Sequence, residues 1–339
     1  MGGSRLGPRV SVLIPVHNPG PFLEPALVSV RRQSLTDIEV VCVDDGCTDG
    51  SAELLDAFAR ADARFSIVHP GRVGLVAAAN LARQRARAPY LARFDADDAM
   101  HPRRLELQAS FLDRHGDIDA VSCLVRHFPA AQVRAGNRDY ETWLNSLRTP
   151  EEIARDIFIE LPLPNPSVTM RAAVFDSVGG YRDNGHPEDY DFWLRAWEAG
   201  VRCAKVDRVL HYWREHPRRV TRTHPRYSLE AFLRAKVATL LRGPLADGRP
   251  FVVWGAGMKG RRLTRLLVRA GRPPVALLDI DRKKIGRTRQ GLPILPPDAM
   301  RPGSALVLGA VGAVGARALI RERLRAWGLA ETRDFWMVA

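Results

Sequence analysis

The chain has 339 residues, 46% hydrophobic and 26% charged, with a formal charge of +13; this is a soluble globular composition with length enough for two domains. The longest apolar candidate, Ser304 to Ala316, is too short and too glycine-broken for a membrane span, and Met1-Gly2-Gly3-Ser4-Arg5 lacks the apolar core of a signal peptide, which points to the cytoplasm. Arginine supplies nearly all the positive charge, spread along the chain rather than gathered in a run with aromatic residues; no nucleic acid partner is expected, and the excess either suits anionic substrates or peripheral association with the inner membrane face, or merely reflects a codon bias toward arginine.

Val10-Ser11-Val12-Leu13-Ile14-Pro15 predicts a buried strand stopped by its proline. A loop, His17-Asn18-Pro19-Gly20, leads to a helix from Phe22 to Gln33. A second strand, Ile38 to Val43, runs into Asp44-Asp45-Gly46-Cys47-Thr48-Asp49-Gly50-Ser51 and an amphipathic helix from Glu53 to Ala61. Phe65 to Val68 predicts a third strand and Gly74 to Ala88 a helix stopped before Pro89; Tyr90 opens a fourth strand that ends in Asp95-Ala96-Asp97-Asp98. Strand alternating with helix means a parallel sheet with ligands at the carboxyl ends of its strands. Each polar cluster falls at such an end: Pro15 to Asn18, Asp44 to Ser51, and Asp95 to Asp98.

In an extended chain Asp95 and Asp97 point to one side while Asp98 leans away or takes the turn. Converging carboxylates repel, and a hard divalent cation, Mg²⁺ or Mn²⁺, on diphosphate oxygens removes that cost. Cys42, Cys47, Cys123 and Cys203 form no C-x-x-C pair and no metal spacing, so reduced thiols are expected.

Further on, Leu161 to Ser167 is proline-rich and predicts a rigid loop, Val168 to Arg171 a strand, and Gly179-Gly180-Tyr181 a turn. His186-Pro187-Glu188-Asp189-Tyr190-Asp191 opens a helix whose apolar face is Tyr190, Trp193, Leu194 and Trp197. Acids in a first turn stabilise the helix dipole; one anchored there beside aromatic residues is also placed to act as a general base.

Taken in order, Val-Ser-Val-Leu-Ile-Pro-Val-His-Asn (10–18), Val-Asp-Asp-Gly-Cys-Thr-Asp-Gly-Ser (43–51), Gly-Leu-Val-Ala-Ala-Ala-Asn (74–80) and Asp-Ala-Asp-Asp (95–98) resemble the family 2 glycosyltransferases, from about Val10 to Val220. The resemblance implies the α/β GT-A fold, with a mixed, mainly parallel sheet, and a metal-dependent inverting transfer from a nucleoside-diphosphate sugar to a sugar or lipid-linked acceptor, in cell-surface polysaccharide or glycolipid synthesis. It implies that Pro15, His17, Asn18 and Asn80 line the nucleotide-sugar pocket and that Asp45 accepts from the base. Asp95 would lie against ribose and diphosphate, and Asp97 or Asp98 would hold the metal. The Glu-Asp pair at the helix start makes Asp189 the base, supported by Glu188 and Asp191. His211-Tyr212-Trp213-Arg214-Glu215-His216 resembles the family's late segment, whose last histidine, His216, can complete the metal shell; His211 is expected to be structural. Two departures stand out: Ala79 where many members have Arg, and Cys47 where many have Ser.

Tyr227 to Leu241 predicts a helix and Arg242 to Gly248 a linker, after which a new pattern begins. Phe251 to Trp254 predicts a strand, Gly255-Ala256-Gly257-Met258-Lys259-Gly260 matches G-x-G-x-x-G, Arg261 to Ala270 predicts a helix, and Val275 to Leu278 a strand ending at Asp279. This is a dinucleotide-binding arrangement, with Gly255, Gly257, Gly260 and Asp279 as its candidate contacts. Ala305 to Leu308, a helix through Trp327 and Phe335 to Val338 complete a small Rossmann-like domain. The expected organisation is a transferase domain over 1–225, a helix and linker over 226–248, and the Rossmann-like domain over 249–339. Two other readings are an NAD(P)-binding oxidoreductase or sensor built on the glycine loop, and a catalytically silent nucleotide-sugar-binding protein.

Overall fold

The computed structural model describes residues 7–339; Met1 to Arg5, read above for a leader, lie outside the described residues. Contacts divide the chain into two compact units. The first holds the residues up to Ile153, with Pro162–Asn184 and Asp191–Thr223; the second holds Ala154–Leu161, Gly185–Tyr190 and His224–Ala339. The helix and linker expected to stand between domains therefore belong to the second unit, as do two excursions of the chain, one of which carries Glu188 and Asp189.

In the first unit β1 (Val10–Val16), β2 (Ile38–Asp44), β3 (Phe65–Val68) and β4 (Tyr90–Arg93) alternate with α1 (Leu23–Arg31), α2 (Ser51–Ala61) and α3 (Leu75–Arg85). These four strands are parallel, in the order β3-β2-β1-β4. Every residue of β1 and β2 is buried, as parallel strands covered on both faces require. α1 buries Leu23, Ala26, Leu27 and Val30, one stripe of a 3.6-residue repeat.

Pro15 does not end β1, which continues to Val16. Val16 accepts from β2's side through Asp45 N–H at 2.8 Å, and Leu13 accepts from β4's side through Phe94 N–H at 3.1 Å. Polar groups alternate sides along a strand, so Pro15 faces β4's side, past Leu13, where pairing with β4 stops. Its missing N–H therefore breaks no ladder.

The chain continues with β5 (Ala99–Met100), α4 (Arg104–Arg114), β6 (Ala120–Phe128), α5 (Ala135–Ser146), α6 (Pro150–Asp156), β7 (Thr169–Arg171), α7 (Ala172–Val178), α8 (Glu188–Glu198), β8 (Cys203–Arg214) and α9 (Val220–Thr223). Beyond β4 the sheet runs β7-β6-β8-β5. β7 is antiparallel to both β4 and β6, β6 and β8 are parallel, and β5 is antiparallel to β8. The sheet is thus mixed, not purely parallel. Its far edge matters for function: β5 pairs Met100 with His211 and Ala99 with Tyr212, which brings the end of β8 beside the 95–98 turn.

The second unit holds α10 (Leu229–Arg242), β9 (Phe251–Trp254), α11 (Met258–Arg269), β10 (Ala276–Leu278), β11 (Thr288–Arg289), β12 (Leu292–Leu295), β13 (Leu306–Gly309), α12 (Ala316–Ala326) and β14 (Phe335–Met337). The strand order is β11-β12-β10-β9-β13-β14, parallel except for β11. β9 comes first in sequence and lies mid-sheet, the order of a doubly wound sheet. Among the described residues no helix is long and apolar enough to cross a membrane.

Candidate active site

The loops after β1 and β2 are laced together. His17 Nδ1 donates to the Asp45 carbonyl at 2.8 Å, Thr48 N–H to Asn18 Oδ1 at 2.8 Å, and Gly20 N–H to Asp49 Oδ2 at 2.7 Å. Asn18 N–H donates to Cys47 Sγ at 3.3 Å, so the thiol that replaces the usual hydroxyl still serves as an acceptor. Asn18 itself sits at φ 48°, a left-handed conformation that asparagine tolerates. Pro15 is buried in β1.

Asp45 is 2% exposed, and its carboxylate accepts from Val73 N–H at 2.6 Å, Gly74 N–H at 2.7 Å and the Arg72 guanidinium. The acid expected to meet a nucleobase thus holds the 72–74 turn, with Arg72 at its mouth; Arg72 was not singled out in the sequence. Asp44 orders the same loop by accepting from Cys47 N–H at 2.8 Å and from His69 at 3.0 Å. Asn80, expected to line the pocket, has backbone partners. Its amide clamps the Tyr181 backbone through two bonds of 2.9 and 3.0 Å, closing the Gly180 turn.

After β4 the chain leaves the strand at Arg93, and Asp98 N–H returns to the Asp95 carbonyl at 3.3 Å. A turn, not strand alternation, therefore gathers the acids. One oxygen each from Asp95, Asp97 and Asp98 lies within 4.8 Å of the others. Of the two placements open to Asp98, it takes the turn, and its side chain points inward, 1% exposed. His211 Nε2 meets its Oδ2 at 3.0 Å, and Arg214 N–H meets its Oδ1 at 2.8 Å. Asp95 pairs with Arg93 at 2.7 Å, and Asp97 with His216 Nε2 at 2.8 Å. His216 thus reaches the cluster through Asp97, and its Nδ1 is buried without a partner.

Burial first, then repulsion from Asp97, raises the Asp98 carboxyl well above the ordinary range. Asp95 is also raised by burial, with Arg93 pulling the other way and Asp97 adding to the rise. Hard oxygen donors held close and short of compensating positive charge suit a divalent cation. The residues present fit one.

Behind the acids lies a buried polar chain. Arg104, 0% exposed, donates from Nη1 to His211 Nδ1 at 3.2 Å. A guanidinium only donates, so His211 Nδ1 is unprotonated and Nε2–H points at Asp98. Burial and the Arg104 charge hold His211 well below its usual pKa, hence neutral. Arg104 Nε donates to Gln108, which in turn donates to the Val121 and Ser167 carbonyls. His211 is therefore more than a core residue: it fixes Asp98. Arg104 and Gln108 lie four apart on the buried face of α4 with Leu105, Ala109 and Leu112; polar residues in phase with an apolar stripe were the available signal.

In the second unit Glu188 is buried, and both its oxygens accept from Tyr227 Oη, at 2.7 and 2.8 Å, with Arg226 at 3.7 Å. Asp189, half-buried in the first turn of α8, accepts from Tyr190 N–H at 2.7 Å. Asp191, in the first unit, pairs with Arg195 at 2.9 Å and accepts from Asn184 at 2.9 Å.

The glycine loop after β9 shows why its residues are small. Gly255 has φ +126°, and a Cβ there would stand 2.8 Å from the Ala310 carbonyl; a Cβ on Gly260 would stand 1.7 Å from the Gly255 carbonyl. Gly257 faces open space. Asp279, which the motif would offer to a ribose, accepts from Ala256 N–H at 2.9 Å, Asp281 N–H at 2.9 Å and Lys284 at 3.1 Å. Its carboxylate closes the loop on itself.

Known proteins resemble this chain in sequence and in fold. Residues 11–178 match the family model described as glycosyl transferase family 2. EpsE of Bacillus subtilis, named as a glycosyltransferase, is 28% identical over 292 residues, 84% of this chain and 98% of EpsE. EpsJ of the same organism is 27% identical over 225 residues, and the chain spans 63% of its length. Among solved structures, residues 1–349 of Staphylococcus aureus TarS in complex with UDP-GlcNAc align with a TM-score of 0.56 at 19% identity, over 77% of this chain and 72% of that one. The mannosyltransferase PcManGT of Pyrobaculum calidifontis, in complex with GDP-Man and Mn²⁺, aligns with a TM-score of 0.51 at 19% identity, over 78% and 70%. At these identities the solved structures speak to the fold.

Proposed function

We propose that the chain, which belongs to glycosyl transferase family 2, moves a sugar, with inversion, from a nucleoside-diphosphate sugar to an acceptor hydroxyl, with a divalent cation at Asp95, Asp97 and Asp98. The observation that carries the metal reading is the convergence of those three carboxylates with His216 bound to Asp97. PcManGT, which has Mn²⁺ in its complex, and TarS, with UDP-GlcNAc in its complex, support the donor class. The role fits cell-surface polysaccharide or glycolipid synthesis.

In this reading the His17, Asn18 and Asp45 loops grip the nucleoside, and Arg72 can leave Asp45 to meet the base or a phosphate. A cation held by the aspartates would offset charge on the departing diphosphate. His211 and Arg104 keep the Asp98 carboxylate aimed, so that little reorganisation is left for the reaction. Asp189 takes the proton of the acceptor hydroxyl as its oxygen bonds to the anomeric carbon and the bond to diphosphate breaks. The nucleoside diphosphate carries away the electron pair, and no covalent sugar–enzyme intermediate forms. Glu188, held by Tyr227 and Arg226, steadies the helix start that presents Asp189.

The test is a panel of nucleotide sugars scored for Mn²⁺-dependent release of nucleoside diphosphate in the presence of acceptor. Asp189→Asn should lower kcat by about 10²–10⁴-fold while leaving donor binding in place. Wild-type turnover in Asp189→Asn would remove the base from this scheme, and full turnover in EDTA would remove the cation.

A further inference from the structure

The positive charge, scattered along the sequence, is not scattered between domains. Residues 249–339 hold 18 basic and 6 acidic residues, a net +12, whereas residues 1–248 hold 33 and 32, a net +1. The excess is therefore a property of the C-terminal domain. Part of it is gathered on one face. On α11, Arg261, Arg265 and Arg269 recur every fourth residue with Arg262 beside them, all exposed, opposite the buried Leu263, Thr264 and Leu267. The hairpin of β11 and β12 abuts this face: Gln290 Nε2, in its turn, donates to the Arg261 carbonyl at 3.1 Å. That contact brings the turn of the hairpin, which follows the exposed Arg287 and Arg289 in sequence, to the start of α11.

Folding gains nothing from this arrangement, because like charges four apart on a helix repel. The acids of the neighbouring stretch are engaged elsewhere, Asp279 and Asp281 with Lys284 and Asp298 with Arg323. Among the described residues no ion pair joins an acid to Arg261, Arg262, Arg265 or Arg269. Two apolar side chains share the helix's outer surface, Met258 at 63% exposure and Val268 at 38%. No aromatic residue occurs between Gly255 and Arg301, so the face lacks the stacking groups that single-stranded nucleic acid uses. Arginines that grip phosphate in pairs, with small apolar contacts among them, match an anionic bilayer surface.

We propose that the outer face of α11, with the β11–β12 hairpin, is a docking surface for membranes rich in anionic phospholipid. It holds the enzyme where a lipid-linked acceptor would be met, but the binding itself requires neither donor nor acceptor. The test uses the full chain and flotation with phosphatidylcholine vesicles, with or without phosphatidylglycerol. Wild type should bind the anionic vesicles, ignore the neutral ones, and release as salt rises. Replacing all four α11 arginines (R261Q, R262Q, R265Q, R269Q) should weaken binding by about 10²-fold or more, since each basic residue at such a surface is worth roughly fivefold. The single reversal Arg265→Glu should give a smaller loss in the same direction. A charge-matched control in the first unit (R32Q, R60Q, R85Q, R114Q) should keep most of the binding. Equal losses in the two fourfold variants would reduce the effect to net charge and overturn the assignment. So would wild type that ignores anionic vesicles, or that prefers short double-stranded DNA to them at the same salt. Nucleotide-sugar turnover is read separately, so failure of the transferase reading and failure of this one are distinguishable.

Discussion

Two acidic loops end parallel strands in this chain, one after β4 and one after β10, and they are built in opposite ways. Asp279 is surrounded by donors; burial alone would raise its carboxyl, but Asp281 N–H, Lys284 and Ala256 N–H together hold it below the ordinary value. Asp95 and Asp98 are crowded by burial and by Asp97, and both are held above it. The Asp279 loop is complete as it stands: its acid closes the backbone. The 95–98 turn crowds three carboxylates together, and the folded chain tolerates this because His211, Arg104 and Gln108 hold it from behind. An acid that serves the fold is satisfied by the fold, whereas acids kept in tension are candidates for binding something else.

The sharpest way to break this contrast is Asp97→Asn. It removes the charge that repels both neighbours but keeps a group able to bond His216. Turnover should fall by at least about 10²-fold. The EDTA-treated variant should nevertheless melt no lower than wild type, and only wild type should gain stability from Mn²⁺. If the variant melts well below wild type in EDTA, Asp97 is a structural acid like Asp279 and the contrast collapses.

In the other loop the expected effects fall on stability. Gly260→Ala forces a Cβ into the Gly255 carbonyl, an overpacking worth about 3 kcal/mol or more; Gly257→Ala, facing open space, should be silent in a thermal melt. Asp279→Asn keeps one acceptor and loses the Lys284 ion pair, a loss of about 1–3 kcal/mol, with unchanged sugar transfer. Transfer activity that fell with Asp279→Asn while the melting temperature held would show that this loop also has a functional ligand.

Much of this was legible in the sequence, for identifiable reasons. The strands β1, β2, β3, β4 and β9 are short apolar runs with clear punctuation, and each polar cluster follows one of them. β8 was not legible, because Lys205, Asp207 and Arg208 interrupt its apolar pattern and its partner β6 lies some eighty residues earlier in sequence. Without that pairing His211 could not be placed beside Asp98. The β11–β12 hairpin turns through Gln290 and Gly291 at φ 55° and 76°, a conformation that the dipeptide Gln-Gly signals less clearly than Asn-Gly. The roles of Asp45 and Asn80 turned on backbone donors at 73–74 and 181, whose positions no local pattern encodes.

The smallest effect concerns pH, where the two loops should respond with opposite signs. Asp95 and Asp98 hold protons more tightly folded than unfolded, where an aspartate titrates near ~3.9. Without a cation, their contribution to stability is most favourable below that value and is lost as pH rises through their raised native values. Asp279 is depressed, so its contribution is present above ~3.9 and is lost only as pH falls through its lowered native value. In EDTA, Asp97→Asn should therefore melt slightly above wild type near neutral pH, by a gap of a few degrees at most. That gap should narrow as the pH is lowered from neutral toward the unfolded value of ~3.9, because protonation of the wild-type pair relieves the same repulsion. The deficit of Asp279→Asn should stay constant over that interval. A gap for Asp97→Asn that does not narrow would mean that repulsion among the acids is not what loads the turn, and the argument for a bound cation would then rest on the convergence of the three side chains alone.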